Sequence, residues 1–179
     1  MSSPERRADR LTATAADIEQ HVAASGWDQA PVLFALADTE QLIAAEPGLA
    51  ATMGITDAAS QPGQLTPIEQ DTLADGPLDE QLAQIMWPAD VLGCALVHEV
   101  LTLPPDAEVA RPTDIDPIAW AQQHPQRQEV RLAVAVLRDG TRASVLRVRP
   151  PDGAEDTDER LTGPDLAPNL ADALLATLR

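Results

Sequence analysis

Glu129 to Arg149 reads EVRLAVAVLRDGTRASVLRVR, and the way this stretch turns back on itself decides how the chain is arranged. Two runs rich in Val and Leu flank Arg138-Asp139-Gly140, which is the signal of a β-hairpin. Were Asp139-Gly140 a two-residue loop, Leu132 would stand opposite Arg147 and Val130 opposite Arg149, charge against core. A three-residue loop, with Gly140 supplying the positive φ of a bulge, pairs Val130 with Val148 and Leu132 with Leu146 instead. One face then carries Val130, Leu132, Val134, Leu146 and Val148, and the other Arg131, Ala133, Ala135, Val145 and Arg147. The second register is preferred, because a slip of one residue exchanges the buried and exposed faces.

Working back from the hairpin, VLGCALVHEVLTL, Val91 to Leu103, is apolar on both faces for most of its length and is the best central-strand candidate. Gly93 within it marks a close approach or a bulge, and Pro104-Pro105 closes it. Between this strand and the hairpin, Asp116 with Pro117 opens a brief helix carrying Ile118 and Trp120. Upstream, Val32-Leu33-Phe34-Ala35-Leu36 has the length and flanking Pro of a buried strand, although periodicity alone does not separate it from a helix. Ahead of it, Ala8, Leu11, Ala15, Ile18 and Val22 recur at helical spacing until Gly26, while residues 1 to 7 read as a frayed end.

The remaining segments are short. Asp38 or Thr39 caps a helix through Glu46, and residues 49 to 64 read as a surface loop around one weak turn. Thr66-Pro67-Ile68-Glu69 has the form of a helical capping box, and a second short helix runs from Pro77 to about Met86 with Leu78, Leu82 and Ile85 on one stripe. Asp152 to Glu159 is a solvated acidic loop. The tail, Pro168 to Leu178, places Leu170, Leu174, Leu175 and Leu178 on one helical face, so it should dock. The expected class is α+β, a single domain over residues 1–179 with a mostly antiparallel sheet, helices packed on one face, and the hairpin followed by a docking helix.

Composition narrows the functional classes. The 179 residues hold 29 acids against 12 bases, a formal charge of -17, and all the bases are Arg. Phosphate backbones and anionic membrane surfaces both need a basic footprint, so neither nucleic acid nor membrane is an expected partner. The acidity itself is read as solubility and mutual repulsion. No GxxxxGK or GxGxxG loop is present and there is no Lys, which removes standard nucleotide loops. No GxSxG elbow is present, and Cys94 has neither a disulfide partner nor a CxxC partner. A lone buried thiol fits a reducing cytoplasm. His21, His98 and His124 are far apart in sequence, and the residue four after His98 is Thr102, so the His98-Glu99 pair does not make a zincin helix. No catalytic residue, metal ligand or cofactor is assigned.

Aromatic residues are few, and Trp27, Trp87 and Trp120 each lie at an element boundary beside Pro or Gly. Each is expected to seal an end of the core; the alternative is that one or two line a groove, where aromatic anchors dominate binding energy. Arg131 and Arg147, neighbours in the preferred register, form a small positive patch on the exposed sheet face or pair with local acids. The candidate ligand or partner patch is therefore Trp87, His98, Glu99, Trp120, Arg131 and Arg147.

Several segments taken in order carry a likeness to a known family. They are Gly26-Trp27, Leu33-Phe34-Ala35-Leu36, Leu65-Thr66-Pro67 with Glu69-Gln70, Trp87-Pro88 with Gly93-Cys94-Ala95, His124-Pro125 with Glu129-Val130-Arg131-Leu132, and Leu137-Arg138-Asp139-Gly140. From about Gly26 to the C-terminus the chain resembles an uncharacterised family of small acidic actinobacterial proteins. The resemblance implies a cytoplasmic protein of a high-GC Gram-positive bacterium, and it brings no activity and no catalytic residue. The function expected is non-enzymatic binding of another protein, a peptide or a second copy of the chain. The rival is a small-ligand binder or enzyme with a site near His98 and Glu99.

Overall fold

The computed structural model describes residues 4–52, 64–70, 73, 76–103, 105–150 and 160–179. Its centre is a six-stranded antiparallel sheet in the order β2-β1-β3-β4-β5-β6, built from β1 (Val32–Asp38), β2 (Leu65–Glu69), β3 (Gly93–Thr102), β4 (Gln128–Leu137), β5 (Arg142–Val148) and β6 (Leu161–Gly163). The hairpin β4-β5 has the three-residue loop, with Val130 opposite Val148 and Leu132 opposite Leu146. Gly140 takes a φ of 93°, and Leu137 N–H closes the loop on the Thr141 carbonyl at 2.8 Å. The faces follow the register, so odd-numbered residues of β4 point one way and even-numbered ones the other.

Seven helices are described: α1 (Pro4–Ala23), α2 (Thr39–Ala45), α3 (Pro47–Thr52), α4 (Leu78–Leu82), α5 (Pro105–Val109), α6 (Pro117–Gln123) and α7 (Pro168–Ala176). The expected α+β class with an antiparallel sheet holds, but the helices lie on both faces instead of one. Helix α1 lays Leu11, Ala15, Ile18 and Val22 on Phe34, Ala95, Val97, Ala133, Ala135 and Val145. Helix α7 lays Ala171, Leu174 and Leu178 on the opposite face, against Cys94, Leu96, Val134 and Val136. The cause is in the central strands: with both sides of β3 and β4 apolar, a single helical layer would leave one side in water. The tail docks as its leucine stripe predicts.

Two local readings change. The first helix already includes Pro4 to Arg7, and an ion pair from Arg7 to Asp139 of the hairpin loop holds its first turns in place. Thr66-Pro67-Ile68-Glu69 is not a helix start but most of the edge strand β2. Gln70 N–H donates to the Leu33 carbonyl at 2.8 Å, so alternation turns Thr66 and Ile68 toward β1 and Pro67 outward. The missing N–H of Pro67 therefore costs no ladder bond and blunts the sheet edge. The Thr66 hydroxyl is spent on Thr39 at 2.8 Å, buried. Pairing with an open β1 edge outweighs a local capping preference.

Smaller differences also stand. The helix expected over Pro77–Met86 is the shorter α4, with Leu82 buried and Leu78 and Ile85 packed against the same core. Part of the 49–64 loop is helical as α3, and residues 53–63 and the acidic stretch 152–159 lie outside the described residues. Gly93 is a close approach: a Cβ there would stand 2.2 Å from the Val136 carbonyl oxygen.

Candidate functional site

β3 is longer than its neighbour β1, and that mismatch creates the candidate site. β1 reaches β3 only as far as Val32 opposite Val97, whereas β4 accompanies β3 to Thr102 opposite Gln128. Which backbone groups the free end exposes follows from the hydrogen-bond alternation. Arg149 N–H donates to the Glu129 carbonyl at 2.8 Å, so odd-numbered residues of β4 bond to β5 and even-numbered ones to β3. On β3, His98 and Val100 then bond to β4, and Glu99 and Leu101 turn their N–H and C=O groups to the side that β1 has left. Among the described residues no strand covers that edge.

Beside it lies a cleft of about 660 Å³ between β3 and α6, lined by Glu99, Val100, Leu101, Leu103, Arg111, Pro117, Ile118, Trp120 and Ala121. Helix α6 forms here because Asp116 accepts from Ala119 N–H at 3.1 Å and Pro117 occupies the first turn. Its apolar residues are not spent on the core: Ile118 is 67% exposed. Trp120 is held in place by its indole N–H, which donates to the Ala107 carbonyl at 3.0 Å, and by an edge contact with His124. Arg111 donates to the Ile115 carbonyl at 2.7 Å, so its charge braces the loop that frames the cleft.

Glu99 anchors the inner end of the cleft. Asp28 has a φ of 65°, a left-handed conformation that turns two successive N–H groups toward the Glu99 carboxylate. Asp28 N–H reaches it at 2.6 Å, and Gln29 N–H at 3.1 and 3.2 Å. The Asp28 carboxyl takes Arg149 at 2.8 and 3.2 Å, and this hydrogen-bonded cation holds it below the usual carboxylate range.

Arg131 and Arg147 do not form a surface patch. Their face of the hairpin is the one α1 covers, and they are 1% and 4% exposed. Both meet Glu19, which is fully buried: Arg131 Nη1 at 3.4 Å, Arg147 Nε at 2.7 Å and Nη2 at 3.1 Å. Arg160 Nη1 approaches the same carboxylate at 3.6 Å. The Arg131 guanidinium also lies 4.3 Å from the centre of the Trp27 ring, with Arg149 at 5.6 Å, so Trp27 closes this end of the core through cation–π contacts. Pairing with an acid is the reading that stands, and the acid is Glu19 of α1.

The remaining candidates separate. His98 shares its strand face with Cys94 and Leu96, away from Glu99, and burial lowers its pKa below the usual imidazole value. Cys94 lies under α7, 3.6 Å from the Leu174 carbonyl and the Thr177 hydroxyl, and burial pushes its thiol up to about 11. Trp87 is at the other end of the sheet, where its indole N–H donates to Thr177 at 3.0 Å. Of the six candidates, then, the cleft brings together Glu99 and Trp120. Among the described residues no three His, Cys, Asp or Glu side chains gather to share a metal ion, and no helix is long and apolar enough to cross a membrane. The arrangement offers backbone hydrogen bonding, an apolar wall and an aromatic anchor.

Residues 11–179 match the model of the PPA1309-like protein family. No curated protein and no solved structure matches the chain.

Proposed function

From the premise that the chain belongs to the PPA1309-like protein family, we propose that it is a non-enzymatic binding protein that takes an extended, basic segment of a partner protein as an added strand beside β3. The observation that carries this reading is the unpaired edge at Glu99 and Leu101 next to an apolar cleft. Strand addition supplies affinity through main-chain hydrogen bonds, and pockets for alternate side chains supply selectivity. Ile118 and Trp120 are placed to receive one apolar side chain of such a segment. A basic partner is favoured by the exposed carboxylates of Asp106, Asp114 and Asp116 on the segment that frames the cleft. Cytoplasmic residence and an actinobacterial source belong to the same proposal.

The rival, a ligand-binding or catalytic site at His98 and Glu99, has less support. The two side chains point to opposite faces of β3, and the Glu99 carboxylate is occupied by two backbone N–H groups.

Selection from a library of random linear peptides tests the proposal. Enriched sequences should carry apolar residues at alternate positions flanked by Lys or Arg. Their binding, read by fluorescence anisotropy, should be weakened by Ile118→Asp and lost in Leu101→Pro, which removes an N–H that faces the open edge. No enrichment, or binding indifferent to both substitutions, would sink the reading. A dimer that Leu101→Pro dissociates would replace the partner peptide by a second copy of the chain.

A further inference from the structure

A second cleft, of about 360 Å³, lies at the opposite end of the sheet, where the first turns of α1 meet the β4-β5 loop. Its apolar walls are Leu65, Leu92 and Leu137. Four of the five charged residues that line it are already answered. Arg7 is paired with Asp139, Asp38 caps α2 by accepting from Gln41 N–H at 3.0 Å, and Arg138 donates to the carbonyls of Val91 at 2.7 Å and Pro88 at 2.8 Å. Arg10 is the exception. Its side chain is part-buried against the cleft, and its Nη1, closed to solvent, meets no hydrogen-bond acceptor among the described residues. Removing a guanidinium N–H from water without replacing its acceptor is costly, and an apolar residue of the same length would spare the fold that cost. Among the charged residues that line this cleft, Arg10 alone has no partner for its guanidinium among the described residues, and a ligand acceptor would supply one.

The surroundings define that ligand. A guanidinium between apolar walls fits a molecule with one anionic head and a hydrocarbon body. The carboxylates of Asp38 and Asp139 on the same walls repel a second negative charge, which favours a monoanion over a phosphate dianion. We propose that this cleft binds a small organic carboxylate, its head on the Arg10 guanidinium and its apolar body against Leu65, Leu92 and Leu137.

Titrating the full chain with octanoate, octanol and octyl phosphate, followed by amide chemical shifts, tests this. Octanoate should produce saturable shifts centred on Leu65, Leu92 and Leu137. Octanol should not saturate, and octyl phosphate should bind more weakly at neutral pH. Arg10→Met should weaken octanoate binding about tenfold or more, as expected for loss of a charge-assisted hydrogen bond, with a Tm equal to or above that of the parent. Octanol matching octanoate, octyl phosphate binding more tightly than octanoate, undiminished binding in Arg10→Met, or a lower Tm for that variant would each overturn the proposal. Leu101→Pro should leave the titration unchanged, so this cleft and the β3 edge succeed or fail separately.

Discussion

Arg131 and Arg147 stand directly opposite each other on β4 and β5, and both guanidiniums bond to the single carboxylate of Glu19, at 3.4 and 2.7 Å. Like charges across a ladder repel, so this pair is tolerable only while α1 delivers an anion between them. The helix is therefore fixed to the sheet by charge as well as by its apolar stripe.

Removing that anion leaves uncompensated buried cations. Glu19→Ala should cost about 3–5 kcal/mol in urea unfolding, the range for breaking a buried pair from one side. Adding Arg131→Met to Glu19→Ala should return part of the loss, because it removes one of the two like charges. A single-variant cost under about 1 kcal/mol, typical of surface substitutions, would show that the cluster is not what holds α1.

Gly93 is required by the close packing of β3 against β4. A methyl group there meets the Val136 carbonyl oxygen at 2.2 Å and Leu137 Cδ2 at 2.8 Å, and the first contact is with backbone that has no room to withdraw. Gly93→Ala should destabilise the protein by about 1–3 kcal/mol, the usual cost of overpacking. Gly48→Ala, where nothing lies within 4 Å, is the matched control. Equal midpoints for the two variants in urea would refute the close-approach account.

Burial of His98 gives the fold a pH dependence of known sign. Its pKa is lowered from 6.5 by desolvation, so the unfolded chain takes up a proton at a pH where the folded one does not. Its contribution is fully present above about pH 6.5 and is lost as pH falls from there through the folded value. Unfolding free energies measured at about pH 7.5 and about pH 5.5 should therefore differ more in the parent than in His98→Leu. Equal differences would mean that His98 is protonated alike in both states.

How much of this was legible differs by element. The hairpin register could be read because a slip would set Leu132 against Arg147, a conflict visible within 21 residues. The fate of the arginine face could not be read from the hairpin alone, since the partner lies on α1, more than a hundred residues away. A signal did exist: Glu19 sits four residues after Ala15 and three before Val22, inside the apolar stripe, where an acid has no business without a cation. Thr66 to Glu69 misleads because a capping box and an edge strand can share the same residues, and the choice falls to the open β1 edge. The β3 cleft depends on where β1 begins relative to β3, a non-local register that no local pattern encodes. Trp120 was recognisable as an anchor, whereas Leu101 and Ile118 look like any core residues.

Arg138 illustrates how a loop residue can carry tertiary structure. It belongs to the hairpin turn, yet its Nε donates to the Val91 carbonyl at 2.7 Å, its Nη2 to the Pro88 carbonyl at 2.8 Å, and its Nη1 to the Leu178 carbonyl after α7. One guanidinium thus ties the segment before β3 and the end of the docking helix to the turn, using the fork of donors that lysine lacks. Arg138→Ala should cost about 2–3 kcal/mol, and Arg138→Lys should recover less than half of that, because a point charge reaches only part of the carbonyl set. Hydrogen exchange should localise the effect: amides of Leu174 to Leu178 should lose protection before those of β4. Exchange rising uniformly across the chain would mean that Arg138 supports the fold as a whole and has no special hold on α7.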